Sequence, residues 1–393
     1  MSIIAGLVTC ALPTRAPPVA AQSAEIARLI AKIEAPQVPN RQGYDAFTLA
    51  ELMQRARVPG VSIAVIKDYR IHWAKGYGVA DVETGRLIDT GTVFQAASIS
   101  KPVFAMTVVK LAQDGKVSLD GDVNALLKSW RVPTSEHTRG QVVTLRSLLS
   151  HTSGADDGFG FPGYNPDEPR PTLVQILNGE KPSNVGPVTF ARSPYSGAKY
   201  SGGAFTVAQL AIVEFIGRPL ADFTHELLLG AIGMSRSSFE QPISETLAAN
   251  AASAHNGAGR RNVAPWHIYP EQAAAGLWTT PGDLARFAIE VQRAIRGPKG
   301  AILTQTSARE MLMPIGTGGY AVGLGIAQRG QGWYFSHGGS NWGFQCLLVA
   351  HVRKGYGVVI MTNGDGGGQL LSEIEGRVAA AYGWDTLDKS IPR

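Results

Sequence analysis

Cysteine is nearly absent: the 393-residue chain carries two, Cys10 and Cys346. Two thiols build neither a disulfide framework nor a cysteine-rich zinc site, and C-x-x-C and H-E-x-x-H do not occur. Cys346 lies in an apolar stretch and reads as a buried thiol. Long apolar runs are also missing. Residues 3–12 are apolar but too short to span a bilayer, so no stable membrane span is expected. Charge is sparse, at 17% of residues with a net +5. The Lys and Arg residues are scattered, which describes a solvated surface and excludes a nucleic-acid footprint. There is no low-complexity tract, heptad run or repeat. No G-x-S-x-G occurs, which excludes the nucleophile elbow of an α/β-hydrolase. A literal G-x-G-x-x-G at Gly158, Gly160 and Gly163 is interrupted by Pro162 and lacks the flanking strand and helix of a nucleotide site. Nothing implies a metal or an organic cofactor.

What is present describes a folded globular protein. Hydrophobic content is 44%, and the length suggests two packed units. Residues 3–12 followed by the small residues Val19-Ala20-Ala21 resemble a secretory leader over 1–22. The basic start of such a leader is missing apart from the amino terminus, and a Pro/Ala-rich leader is the alternative. The expected location is periplasmic or secreted.

Residues 23–33 and 44–57 have helical periodicity. Residues 61–67 and 71–77 are strand-like around Asp68-Tyr69-Arg70, a hairpin. From 98 to about 290 the pattern is helical with long loops. Residues 333–335, 344–352 and 356–362 are again strand-like, and 370–382 reads as a closing helix. Strands at both ends with helices between them predict an α/β (α+β) protein. Residues 23–90 plus 291–393 would form a discontinuous sheet domain, and 91–290 an inserted helical domain, with a cleft between the two.

The chain turns on the stretch Phe94–Pro102. Apolar residues recur at Ile99, Val103, Met106 and Val109, and Gly115 supplies a stop. Ser98 therefore opens a helix, and Lys101 falls one turn later on the same face. A serine hydroxyl is inert until a base removes its proton. A desolvated lysine can be that base, and the helix N-terminus favours a developing oxyanion. The residues alone leave a nucleophile and an ordinary helix cap both open. A second Ser-x-x-Lys, Ser196 to Lys199, lies among Pro194, Gly197 and Gly202, where no helix aligns the pair.

Two other stretches add to Ser98. Lys199-Tyr200-Ser201-Gly202-Gly203 precedes a predicted helix over 204–216, and Tyr200 on this turn could reach a cleft or simply pack. A neighbouring ammonium would favour its phenolate. Residues 335–344 hold His337-Gly338-Gly339-Ser340, whose glycines permit close backbone approach. An N–H from this strand and one from Ser98 could bind an oxyanion; a bulge beside a structural histidine is the alternative.

Ser98-x-x-Lys101, Tyr200-Ser201-Gly202 and His337-Gly338-Gly339, in this order, resemble the motifs of the serine β-lactamase and penicillin-binding-protein superfamily. The likeness is to its class C-like side, with the family VIII carboxylesterases, D-aminopeptidases and DD-carboxypeptidases. The stretches Leu148 to Gly154 and Ala274 to Leu284 are similar to connecting signatures of the same group. The resemblance implies an antiparallel sheet flanked by N- and C-terminal helices, with the helical domain inserted. It implies Ser98 as acylated nucleophile, Lys101 as its base and Tyr200 as proton relay. The N–H groups of Ser98 and Ser340 would form the oxyanion hole. The implied partner is a small-molecule ester, amide or β-lactam. Two positions depart from the pattern: Gly202 stands where Asn is usual, and His337 where true β-lactamases have Lys. Both weaken recognition of an anionic amide, so esterase activity leads. β-Lactamase or D-amino-acid peptidase activity is the alternative, and a non-catalytic penicillin-binding scaffold is a third reading. His337, at an ordinary imidazole pKa near 6.5, would gain charge in mild acid.

Overall fold

The computed structural model describes residues 19–37, 43–157, 160–297 and 300–385. Most of the leader lies outside these residues; Val19-Ala20-Ala21 fall in the first turn of helix α1 (Val19–Glu34). Helix α2 (Leu49–Ala56) starts five residues later than periodicity predicts. The cause is local: Thr48 and Glu51 form a capping box, with Glu51 N–H on the Thr48 hydroxyl and Thr48 N–H on the Glu51 carboxylate. Such a cap contributes about 1 kcal/mol and fixes the start.

Strands β1 (Gly60–Lys67) and β2 (Arg70–Gly78) form the expected hairpin. Its turn is Asp68-Tyr69, both left-handed at φ 54° and 58°, the geometry that matches strand twist. Helix α3 (Ser100–Gln113) follows, with Gly115 just past its end. Then come α4 (Leu145–Leu149), α5 (Gly202–Ile216), the short α6 (Gln272–Ala275) and α7 (Pro281–Arg296). The tail supplies β3 (Gly325–Arg329), β4 (Gly332–Asn341), β5 (Phe344–His351), β6 (Gly357–Thr362) and α8 (Gly367–Tyr382).

One antiparallel sheet has the order β2-β1-β6-β5-β4-β3. The N-terminal β1 pairs with the C-terminal β6, Ile63 opposite Ile360, so the sheet is discontinuous in sequence as expected. Side chains alternate between its faces. Val61, Ile63, Val65, Val358 and Ile360 pack with α1, α2 and α8. Ala64, Ile66, Val359 and Met361 face the main core on the other side. Cover on both faces explains why β1 reads as an apolar run broken only by Ser62. Each buried branched side chain contributes about 1.5–3 kcal/mol. Helix α7 lies across β1, β2 and β6, and the 290/291 boundary falls inside it.

β3 was not anticipated. β4 runs on to Asn341, so the glycines lie inside a strand as expected. The reason is close approach. A Cβ on Gly339 would lie 2.4 Å from both the Ala96 carbonyl and the Cys346 sulfur. Only glycine lets β4 pass the turn that carries Ser98. Cys346 is buried as expected, with its thiol 2.9 Å from the Ala96 carbonyl. Among the described residues no single helix is long and apolar enough to cross a membrane.

Candidate active site

Ser98 sits in a 3₁₀ turn, Ala97–Ile99, that runs directly into α3. Ala97 is held left-handed at φ 49°, a conformation that costs a residue with a Cβ and needs support around it. Ser100 gives that support. Its hydroxyl donates to the Ala97 carbonyl at 2.5 Å and accepts the Leu277 N–H at 2.9 Å. Ala96 N–H also donates to the Leu277 carbonyl, at 2.8 Å. The turn is thereby pinned to the segment before α7.

Lys101 is 2% exposed. Its Nζ lies 3.1 Å from Ser98 Oγ and donates to the Ala274 carbonyl at 2.8 Å. Both partners are uncharged oxygens. Burial therefore dominates and pulls its pKa down to about 7, with Asp157 opposing. Once neutral, the amine can keep one N–H on Ala274 and turn its lone pair to the Ser98 proton. The second Ser-x-x-Lys does nothing comparable. Ser196 donates to the Ser193 carbonyl at 2.6 Å, and Lys199 pairs with Asp156.

Tyr200 lies on the loop before α5, whose N-cap is Ser201, accepting the Ala204 N–H at 2.9 Å. The Lys101 ammonium is 5.0 Å from the Tyr200 ring centre. About a third of the residue, 36%, is open to the cleft. Desolvation nevertheless raises the phenol to about 12, opposed by hydrogen bonding with Ser98. Burial therefore favours the protonated phenol over the phenolate that a neighbouring ammonium would favour. Gly202 opens α5. A Cβ there would meet the Phe161 ring at 2.7 Å, so an apolar ring fills the space of an Asn side chain. Asp157 accepts the Gly203 N–H at 2.5 Å.

The edge of β4 supplies the third wall. Two-residue hairpins close at Arg329–Gly332 and Asn341–Phe344. Alternation of an antiparallel ladder then turns the N–H groups of Gly332, Tyr334 and Ser336 toward β3. β3 ends opposite Ser336. Gly338 and Ser340 therefore aim their N–H groups past its end, at a free edge. The Ser340 hydroxyl accepts from Gln345 at 2.9 Å. The His337 side chain lies on the opposite face of β4 from those of Ser336 and Ser340 and is 6% exposed. Its Nδ1 lies 2.6 Å from the Gly338 carbonyl, which assigns the proton to Nδ1. Its ring centre is 6.1 Å from that of Tyr200. Burial, and secondarily Lys101, lower its pKa to about 4. The expected charging of His337 in mild acid is corrected accordingly: a desolvated imidazole beside a lysine resists a second charge.

Ser98, Tyr200, His337, Gly338, Gly339 and Ser340 line one cleft of about 900 Å³, closed on its far side by Leu371 and Ser372 of α8. Lys101 sits behind Ser98, and Gly202 lies outside the wall. Gly160 also lines the cleft, but Gly158 of the rejected glycine pattern falls outside the described residues. Sequence reasoning missed Asp157, Tyr320 and the Ala274 carbonyl. Ala274 and His151 lay within stretches already singled out; Tyr320 carried no local signal.

A serine on a helix-opening turn against a buried lysine, beside a free strand edge between an antiparallel sheet and a helical region, is the arrangement of a serine hydrolase. The model of the Beta-lactamase family matches residues 47–382, and the chain belongs to that family, within the serine β-lactamase and penicillin-binding-protein superfamily. Among curated relatives it is similar to esterase EstB of Burkholderia gladioli, 25% identical over 76% of this chain and 81% of that protein. It is 23% identical to protein flp of Staphylococcus aureus strain N315 over 79% of this chain, and spans 61% of flp. The D-amino acid amidase from Ochrobactrum anthropi SV3 shares the fold at TM-score 0.69 and 21% identity, covering 91% of this chain and 98% of that one. The octameric penicillin-binding protein homologue from Pyrococcus abyssi does so at 0.69 and 23%, covering 86% and 76%.

Proposed function

We propose that this protein hydrolyses small neutral carboxylic esters through an acyl-enzyme on Ser98. The observation that carries the reading is Lys101 Nζ at 3.1 Å from Ser98 Oγ, with burial bringing its pKa to about 7. Lys101 takes the Ser98 proton as Oγ bonds to the substrate carbonyl carbon. The carbonyl oxygen becomes an oxyanion held by the N–H groups of Ser98 and Ser340. Collapse breaks the ester C–O bond, and the leaving alkoxide takes a proton through the Tyr200 phenol. Water, activated by the same pair, then hydrolyses the acyl-enzyme and returns the proton.

Ester preference rests on what the cleft lacks. His337 is uncharged at neutral pH and offers no cation to a substrate carboxylate. Phe161 fills the space beside Gly202, where an amide could have met a substrate amide. A neutral ester needs neither contact. The similarity to an esterase over most of both chains supports the same reading. The fold shared with a D-amino acid amidase keeps amide hydrolysis as the second reading, since the same nucleophile and base would serve it. A periplasmic or secreted location, from the leader-like 1–22, is part of the proposal. Hydrolysis of p-nitrophenyl butyrate, compared with nitrocefin and a D-phenylalanine amide, is the test. The ester should be turned over with the highest kcat/KM; a higher value for either of the other two would displace it.

A further inference from the structure

His151 follows α4 and is 2% exposed. Its backbone is left-handed, at φ 61°, in a position past a helix end that favours glycine. From there it makes three contacts with one short loop. Its carbonyl accepts the Lys199 N–H at 2.9 Å. Its Nδ1 accepts the Ser201 N–H at 3.1 Å. Its ring lies 4.4 Å from the Tyr200 ring, tilted by 32°. The residues on both sides of Tyr200 are thus tied to His151, and the phenol ring rests on the imidazole. Tyr320 meets the imidazole edge-on at 4.8 Å, and Phe205 lies at 5.4 Å.

We propose that His151 is a positioning residue for Tyr200, bracing the phenol over Lys101 and Ser98 through its Ser201 hydrogen bond and its ring contact; this rests on the proton-relay reading of Tyr200. The tautomer follows from the geometry. Nδ1 accepts, so the proton sits on Nε2. Nε2 has no hydrogen-bond partner among the described residues, and the Tyr200, Tyr320 and Phe205 rings lie around the imidazole. Burial, and secondarily Lys101, keep the imidazole neutral, and it acts as a wedge with one acceptor. A structural histidine that only caps α4 would need the backbone conformation and burial. It would not need an acceptor on Ser201 or a ring against Tyr200.

The test is a double-mutant cycle in the full-length protein, with melting temperature followed for every variant. His151→Phe keeps a ring and loses the acceptor. His151→Asn keeps an acceptor at the equivalent atom, tolerates a left-handed backbone, and loses the ring. Each should lower kcat for a neutral ester by about tenfold or more, the scale of a misplaced reacting group, with KM within about threefold. In a Tyr200→Phe background neither should cause further loss, because the group they position is gone. Losses that multiply in that background overturn the positioning role and leave the relay role of Tyr200 standing. Full activity of Tyr200→Phe by itself overturns the relay reading and this proposal with it. If His151→Phe does not fold, His151→Asn carries the cycle alone, and wild-type kcat in a folded His151→Asn refutes the role of the ring contact.

Discussion

The base assignment makes a quantitative demand on the pH profile. A lysine at its ordinary 10.5 would be neutral in about one molecule in three thousand at pH 7, and at about 7 it is neutral in roughly half. Burial therefore supplies on the order of a thousandfold more competent base. The sign follows from which form works. The neutral amine is the base, so activity is full above the pKa and lost below it. For a neutral ester with no titrating group, kcat/KM should plateau above pH 8 and fall about tenfold per pH unit below 6. His337, near 4, adds no limb in this window, and Tyr200, near 12, adds none below pH 10. Asp157 holds charge on Lys101, so Asp157→Asn should move the acid limb to lower pH and raise the relative rate at pH 6. Its amide oxygen can still accept the Gly203 N–H. The assay is initial-rate hydrolysis of p-nitrophenyl butyrate from pH 5 to 9. A flat profile from pH 5 to 8, or an acid limb that moves upward in Asp157→Asn, would refute the lysine-base reasoning.

Three further outcomes follow from the same geometry. The ratio of kcat/KM for an anionic β-lactam to that for a neutral ester should stay constant between pH 8 and 5.5, since His337 remains uncharged there; a ratio that rises as pH falls would show that it titrates as an exposed imidazole. Glu271 is fully buried, neither carboxylate oxygen has a side-chain partner among the described residues, and burial raises its pKa from 4.5 to about 8. The folded state thus binds its proton more tightly, so this stability is present below about pH 4.5 and lost as pH rises through 8. Glu271→Gln should melt higher than wild type at pH 9, by the equivalent of a few kcal/mol, and equally at pH 4.5; equal melting at both values would contradict the burial argument. Gly202→Asn should destabilise by about 1–3 kcal/mol through overpacking against Phe161, and Phe161→Ala should recover most of the loss. Additive losses in the double variant would mean the two positions do not share that space.

What the sequence made legible was what short spacing controls. Three residues on a helix carry Ser98 to Lys101, and a strand at each end of the chain implies the joined sheet. Less legible were features set by distant partners. Gly338 and Gly339 depress strand propensity, yet Gly339 is required inside β4 by Ala96, more than two hundred residues away. Residues 44–48 shared the apolar spacing of α2, but the Thr48 cap outweighed periodicity. The readiness of His337 to take up charge was misjudged because it depends on burial, which composition does not encode. Lys101 needs the Ala274 carbonyl, and Tyr200 leans on His151, 49 positions before it. Such contacts arise only once the helical region folds on itself.

The most direct measurement is intact-protein mass spectrometry of the chain quenched in acid during turnover of p-nitrophenyl butyrate. An acyl-enzyme on Ser98 predicts a mass increase of one butyryl group in wild type, mapping by peptide digestion to the segment holding Ser98. The adduct should be absent from Ser98→Ala and undiminished in Ser196→Ala. An adduct that persists in Ser98→Ala, or turnover that survives that substitution, would contradict the assignment of Ser98 as the nucleophile.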